Sequence, residues 1–162
     1  MTERLLQFIW QFQYFNKSEL STITGEPLRI LIPGQHNSNQ GPDFSGARIR
    51  IGKTTWAGSV ELHVKTSDWN KHKHPGDPNY NNVILHVVWS HRTPLEEDDG
   101  DTNQLPLLEL QDRVPKILLQ RFEELMDSYS FIPCGKSIAG IPELTWKSWK
   151  DRLLAERLLR KA

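Results

Sequence analysis

The stretch from Phe44 to Lys65 constrains the fold most. In FSGARIRI, Ala47, Ile49 and Ile51 alternate with Arg48 and Arg50. After Gly52-Lys53, the segment TTWAGSVELHVK sets Val60, Leu62 and Val64 against Glu61, His63 and Lys65. An apolar residue at every second position lines one face of an extended chain, and a Gly-containing break between two such runs reverses its direction. The spacing therefore predicts a β-hairpin with strands over 44–51 and 54–65.

Further strands are legible around it. VILHVVW (83–89) is a nearly unbroken apolar run, the pattern of a central strand buried on both faces. PLRILI (27–32) reads as a strand ended by Pro33-Gly34, and QLPLLEL (104–110) as one that Pro106 confines to a sheet edge. Helices are predicted over 3–15 with Thr2 as N-cap, near 67–71, over 114–129 with Pro115 in the first turn, and from Trp146 onward with Thr145 as cap. The order gives an α/β (α+β) domain built on a mixed sheet of four or five strands with flanking helices. The expected division is a sheet domain over 1–112 and a helical extension over 113–162. The last helix carries Trp146, Trp149, Leu153, Leu154 and Leu158 on one stripe and meets no stop signal, so the extension is expected to continue into a longer parent protein or to dock on its missing part or another copy.

Composition narrows the class. Twenty Lys+Arg balance twenty Asp+Glu, which argues against coating nucleic acid through bulk basicity. Cys134 is the one cysteine, so an intramolecular disulfide and a Cys-rich zinc finger are excluded. No apolar run approaches the ~18–20 residues of a membrane span. The N-terminus lacks the pattern of a secretory leader, so a cytoplasmic location is expected.

The chemistry concentrates at Gly41-Pro42-Asp43-Phe44 and at Glu61-Leu62-His63-Val64-Lys65. If the hairpin forms, Asp43 and Glu61 come nearly opposite each other. Two converging carboxylates suit Mg²⁺ or Mn²⁺, which prefer oxygen ligands and can activate water for attack on a phosphodiester. His63 and Lys65 would then polarise or position that water. A second cluster, His63, His72, His74 and His86 with Asp77, offers Zn²⁺ as an alternative. Arg48, Arg50, Lys53, Lys65, Lys71 and Lys73 give 46–73 an excess of positive charge, consistent with nucleic-acid phosphates or with a solvated strand face. The plain readings compete at each point. Asp43 closes a turn through an Asx-type hydrogen bond, Glu61 and Lys65 form ladder pairs, His86 is a buried, hydrogen-bonded imidazole, and His36 and Asn37 stitch their own loop.

The Pro42-Asp43 pair followed by acidic Glu61 resembles the motif of PD-(D/E)XK phosphodiesterases. That resemblance implies a restriction-endonuclease-like αβββαβ core and a metal-dependent nuclease. The departure is His63, which stands where that motif has lysine; Lys65 lies two residues further on. Longer stretches, GPDFSGARI (41–49), WAGSVELHVKTSDWNKH (56–72) and DPNYNNVILHVV (77–88), resemble an uncharacterised bacterial family catalogued as domain of unknown function 2851, which brings no activity with it.

Overall fold

In the computed structural model the hairpin forms as its alternation dictates. Strands β3 (Phe44–Ile51) and β4 (Thr54–Lys65) run antiparallel, with Ile51 opposite Thr54, Ile49 opposite Trp56 and Phe44 opposite Val60. The structure describes residues 1–71, 77–91, 105–129, 131–159 and 161. His72, His74 and the acidic loop 94–103 lie outside the described residues.

The β3–β4 ladder has one irregularity. β3 advances from Phe44 to Ala47 while β4 retreats only from Val60 to Gly58. Gly46 sits in this bulge at φ 69°, a left-handed conformation that glycine adopts without a Cβ clash. The extra residue resets the alternation, so that Phe44 and Ala47 are both buried although an odd number of positions separates them.

Outside β3 lies β1 (Leu28–Ile32), antiparallel, with Leu28 opposite Ile51 and Arg29 opposite Arg50; the short β2 (Gln35–His36) pairs with the start of β3. On the other side β4 pairs in parallel with β5 (Val83–Ser90), and β5 in parallel with the edge strand β6 (Leu107–Glu109). The order β1-β3-β4-β5-β6, with β2 attached to β3, makes the expected mixed sheet. A parallel pair needs a crossover, and α2 (Asp68–Lys71) and a 3-10 turn (Pro78–Tyr80) lie in that connection. β5 is buried from Val83 to Val88, as its apolar run requires. At Gly58, β4 runs so close to the residue before β5 that an added Cβ would clash with the Asn82 carbonyl oxygen.

Helix α1 (Glu3–Gln11) starts on Thr2, whose hydroxyl accepts the Leu5 N–H. It is shorter than the predicted 3–15. Gln13 turns left-handed at φ 56°, and its N–H bonds back to the Trp10 carbonyl while that of Tyr14 bonds to Ile9. This reciprocal pair satisfies the last carbonyls and stops the helix. Leu5, Leu6, Ile9 and Trp10 are buried, whereas Phe8, Phe12 and Tyr14 cluster with one another at the surface. The Trp10 indole N–H donates to the Pro33 carbonyl at 3.0 Å, tying α1 to the end of β1.

The chain divides into two compact units, Met1–Pro115 and Lys116–Ala162. The second contains α3 (Lys116–Met126), α4 (Gly135–Ile138) and α5 (Glu143–Leu159). α5 begins three residues before the predicted Trp146. Pro142 ends the connector, its carbonyl accepts the Trp146 N–H, and acidic Glu143 suits the positive end of the helix dipole, so Thr145 lies inside the helix instead of capping it. Neither α3 nor α5 has a buried residue. No described helix is long and apolar enough to cross a membrane.

Candidate functional site

Because Phe44 faces Val60 in an antiparallel pair, the next residues outward, Asp43 and Glu61, are brought opposite each other. Pro42 has no N–H to extend the ladder, and carboxylates take over the pairing. The Asp43 N–H donates to Glu61 Oε2 at 2.9 Å, and the Leu62 N–H donates to Asp43 Oδ2 at 3.0 Å. Each acid thus accepts a backbone proton from the other's strand. Asp43 Oδ1 accepts the Gln7 side-chain amide at 2.7 Å, which brings α1 into the site. The plain reading, in which Asp43 closes its own turn through an Asx-type hydrogen bond, does not hold: its backbone partner is the Leu62 N–H across the sheet. The turn is stitched by Asn37, whose side chain bonds the carbonyls of Gln40 and Pro42 and the N–H of Asn39.

Electrostatics follow from this crowding. Glu61 is only 5% exposed. Burial, then the charge of Asp43, pushes its carboxyl up to about 8 against the Asp43 N–H that favours ionisation; Glu3 raises it further. Half-buried Asp43 is also raised, by burial, despite the lowering effect of the Leu62 N–H and the Gln7 amide. Tyr80 is pushed up to about 12 by burial and by the negative charge of Glu61, Asp43 and Asp77.

His63 lies behind Glu61. It is 1% exposed, with Nε2 3.7 Å from Glu61 Oε1 and Nδ1 2.9 Å from Nε2 of His86, which is 3% exposed. Since two ring nitrogens in contact need one proton between them, one imidazole donates and the other accepts. His86 is therefore the buried, hydrogen-bonded imidazole that the sequence indicates. Trp69 of α2 packs on the two imidazoles, edge-on to His63 and to Tyr80 and tilted over His86.

Of the four sequence-predicted residues, Asp43, Glu61 and His63 come together. Lys65 is exposed at the end of β4, ~13 Å along the strand from Glu61 at ~3.3 Å per residue. Asp77 caps the 3-10 turn through the Asn79 N–H. Glu3, Gln7 and Tyr80 were not found from sequence. The only trace is that Gln7 and Glu3 are polar interruptions on a helix whose neighbours are buried.

Among the described residues no group of three or more His, Cys, Asp or Glu converges as a metal site. Two carboxylates are nonetheless the usual protein share of a Mg²⁺ site, where water and phosphate complete the octahedron. Each oxygen of Asp43 uses one lone pair on a neutral donor and retains another. Oxygen donors of this kind are those that a hard dication takes.

No curated protein and no solved structure matches the chain, so the PD-(D/E)XK relationship has no support beyond motif and element order. The family model described as "Protein of unknown function (DUF2851)" matches residues 3–162, and the chain belongs to that family.

Proposed function

We propose that the chain is a divalent-cation-dependent phosphodiesterase acting on nucleic acid. The observation that carries the reading is the meeting of Asp43 and Glu61 from adjacent strands, each accepting an N–H from the other's strand, in a setting that raises both carboxyls. Asp43 and Glu61 would hold Mg²⁺ or Mn²⁺, which when bound polarises a phosphodiester oxygen and acidifies a coordinated water. Gln7 and the Leu62 N–H fix the Asp43 carboxylate so that it need not reorganise. His63 is too deeply buried to touch substrate; with Nε2 3.7 Å from Glu61 Oε1, it would help to orient that carboxylate. Lys65, on the same strand face and exposed, would meet an incoming phosphate.

Cleavage of plasmid and oligonucleotide in Mg²⁺ or Mn²⁺ tests the reading. Asp43→Ala and Glu61→Ala should each reduce cleavage by about 100-fold or more, the scale already reached by changes around metal ligands. Unchanged activity in either variant, or no metal-stimulated cleavage by the parent chain, rejects the assignment.

A second reading, a non-catalytic interaction module of a larger protein, is favoured by the apolar side chains that α5 leaves exposed, among them Trp149, Leu154 and Leu158. It predicts concentration-dependent self-association or partner capture that Leu154→Glu abolishes.

A further inference from the structure

The hairpin between the two acids is wholly one-signed. Residues 44–60 contain Arg48, Arg50 and Lys53 and no acidic residue. The register adds a third arginine that sequence spacing does not reveal, because β1 places Arg29 directly opposite Arg50. Arg29, Arg48 and Arg50 are all exposed, and among the described residues none forms an ion pair; the one side-chain contact is Arg50 Nε to the Thr55 hydroxyl at 3.4 Å. Like charges directly opposite across a ladder are destabilising. The Arg29–Arg50 pairing therefore opposes folding, and an external anion would relieve it.

Its location matches the site. On β4, Arg50 faces Thr55 and Arg48 faces Ala57. Neither register shift inserts a residue into β4, since the extra residue lies in β3 in one case and in β5 in the other. Thr55, Ala57, Ser59 and Glu61 therefore share one face of the sheet. The arginine rows lie ~13 and ~20 Å from Glu61 along that face at ~3.3 Å per residue. That distance corresponds to about four to six nucleotides of a strand rising ~3.4 Å per nucleotide.

We propose that Arg29, Arg48 and Arg50 form a phosphate-contacting track that seats a nucleic-acid strand on the exposed outer strands β1 and β3, on the same side of the sheet as the Asp43–Glu61 pair. The identity of the polymer rests on the phosphodiesterase reading. The contacts are to backbone phosphates, so they position the strand and carry no base sequence.

Fluorescence anisotropy with a fluorescein-labelled 20-nucleotide strand, as DNA and as RNA, tests the track. EDTA is present throughout, so that neither the cation nor cleavage enters the measurement. Between 50 and 200 mM salt, replacing all three arginines by Ala should weaken binding at least tenfold and reduce the slope of log affinity against log salt by about two, from ~0.7 per lost contact on a single strand. Arg48→Ala alone should remove about 0.7 of slope. Removing the Arg29–Arg50 repulsion should leave the thermal midpoint equal or higher. Parental binding that both variants retain overturns the track, as does an absence of binding at 50 mM salt. So does arginine-dependent binding to phosphatidylserine vesicles without binding to either strand. A chain that binds through these arginines but never cleaves sustains the track and refutes the phosphodiesterase reading alone; cleavage with intact binding in the triple variant does the reverse.

Discussion

Glu61→Gln separates the burden of the acid pair from its use. In the folded chain the Glu61 carboxyl holds its proton up to about 8, against 4.5 ordinarily, because burial disfavours its charged form and ionisation would also place that charge beside Asp43. Between those two values the native state binds more protons than the unfolded state, so stability falls as pH rises. At ~1.4 kcal/mol per pKa unit, the loss by pH 9 is roughly 3–5 kcal/mol. A glutamine keeps the shape and an oxygen to accept the Asp43 N–H, and it cannot ionise. In urea titrations with EDTA, the variant should match the parent within about 1 kcal/mol at pH 5. At pH 9 it should be more stable by roughly 3–5 kcal/mol, with a flattened pH profile. Under the phosphodiesterase reading, Mn²⁺ at pH 9 should restore stability to the parent and do nothing for the variant. A variant less stable than the parent at pH 9 would refute the reasoning, because it would mean that Glu61 is ionised and held by a His63 imidazolium.

Two other substitutions probe how the site is built. Gly58→Ala places a Cβ against the Asn82 carbonyl oxygen and 2.6 Å from Ile84 Cγ2; because the first obstacle is backbone, it should destabilise by about 1–3 kcal/mol in chemical denaturation. Gln7→Ala removes the amide on Asp43 Oδ1. It should cost about 1–3 kcal/mol at pH 7, less at pH 3 where the acid is neutral, and raise the Asp43 carboxyl further, read by carboxyl ¹³C shifts.

How much of this was readable depends on the range of the interactions involved. The hairpin and its turn at Gly52-Lys53 follow from a period of two, a local property that tertiary context did not override, but that period alone would set Leu62 opposite Asp43. The bulge at Gly46 has no such signature, although it decides which side of the sheet Asp43 occupies. Gln7 and Glu3 arrive on a helix from the far end of the sequence, and Tyr80 arrives on a turn; nothing in their own neighbourhoods signals the acids they serve. The helix ends failed for a related reason. Gln13 stops α1 in a conformation usually given to glycine, so no stop residue marks it, and Pro142 with Glu143 starts α5 more strongly than Thr145 could.

The 2.9 Å contact between His63 and His86 has a mechanical consequence, because the two rings stand on β4 and β5, the parallel pair near the middle of the sheet. Their tautomers must change in lockstep, since moving the shared hydrogen reverses which ring is donor. A switch of His63 from one neutral tautomer to the other therefore requires that, as its Nε2 gains a hydrogen, the far nitrogen of His86 gives one up, one strand further on and without any backbone movement.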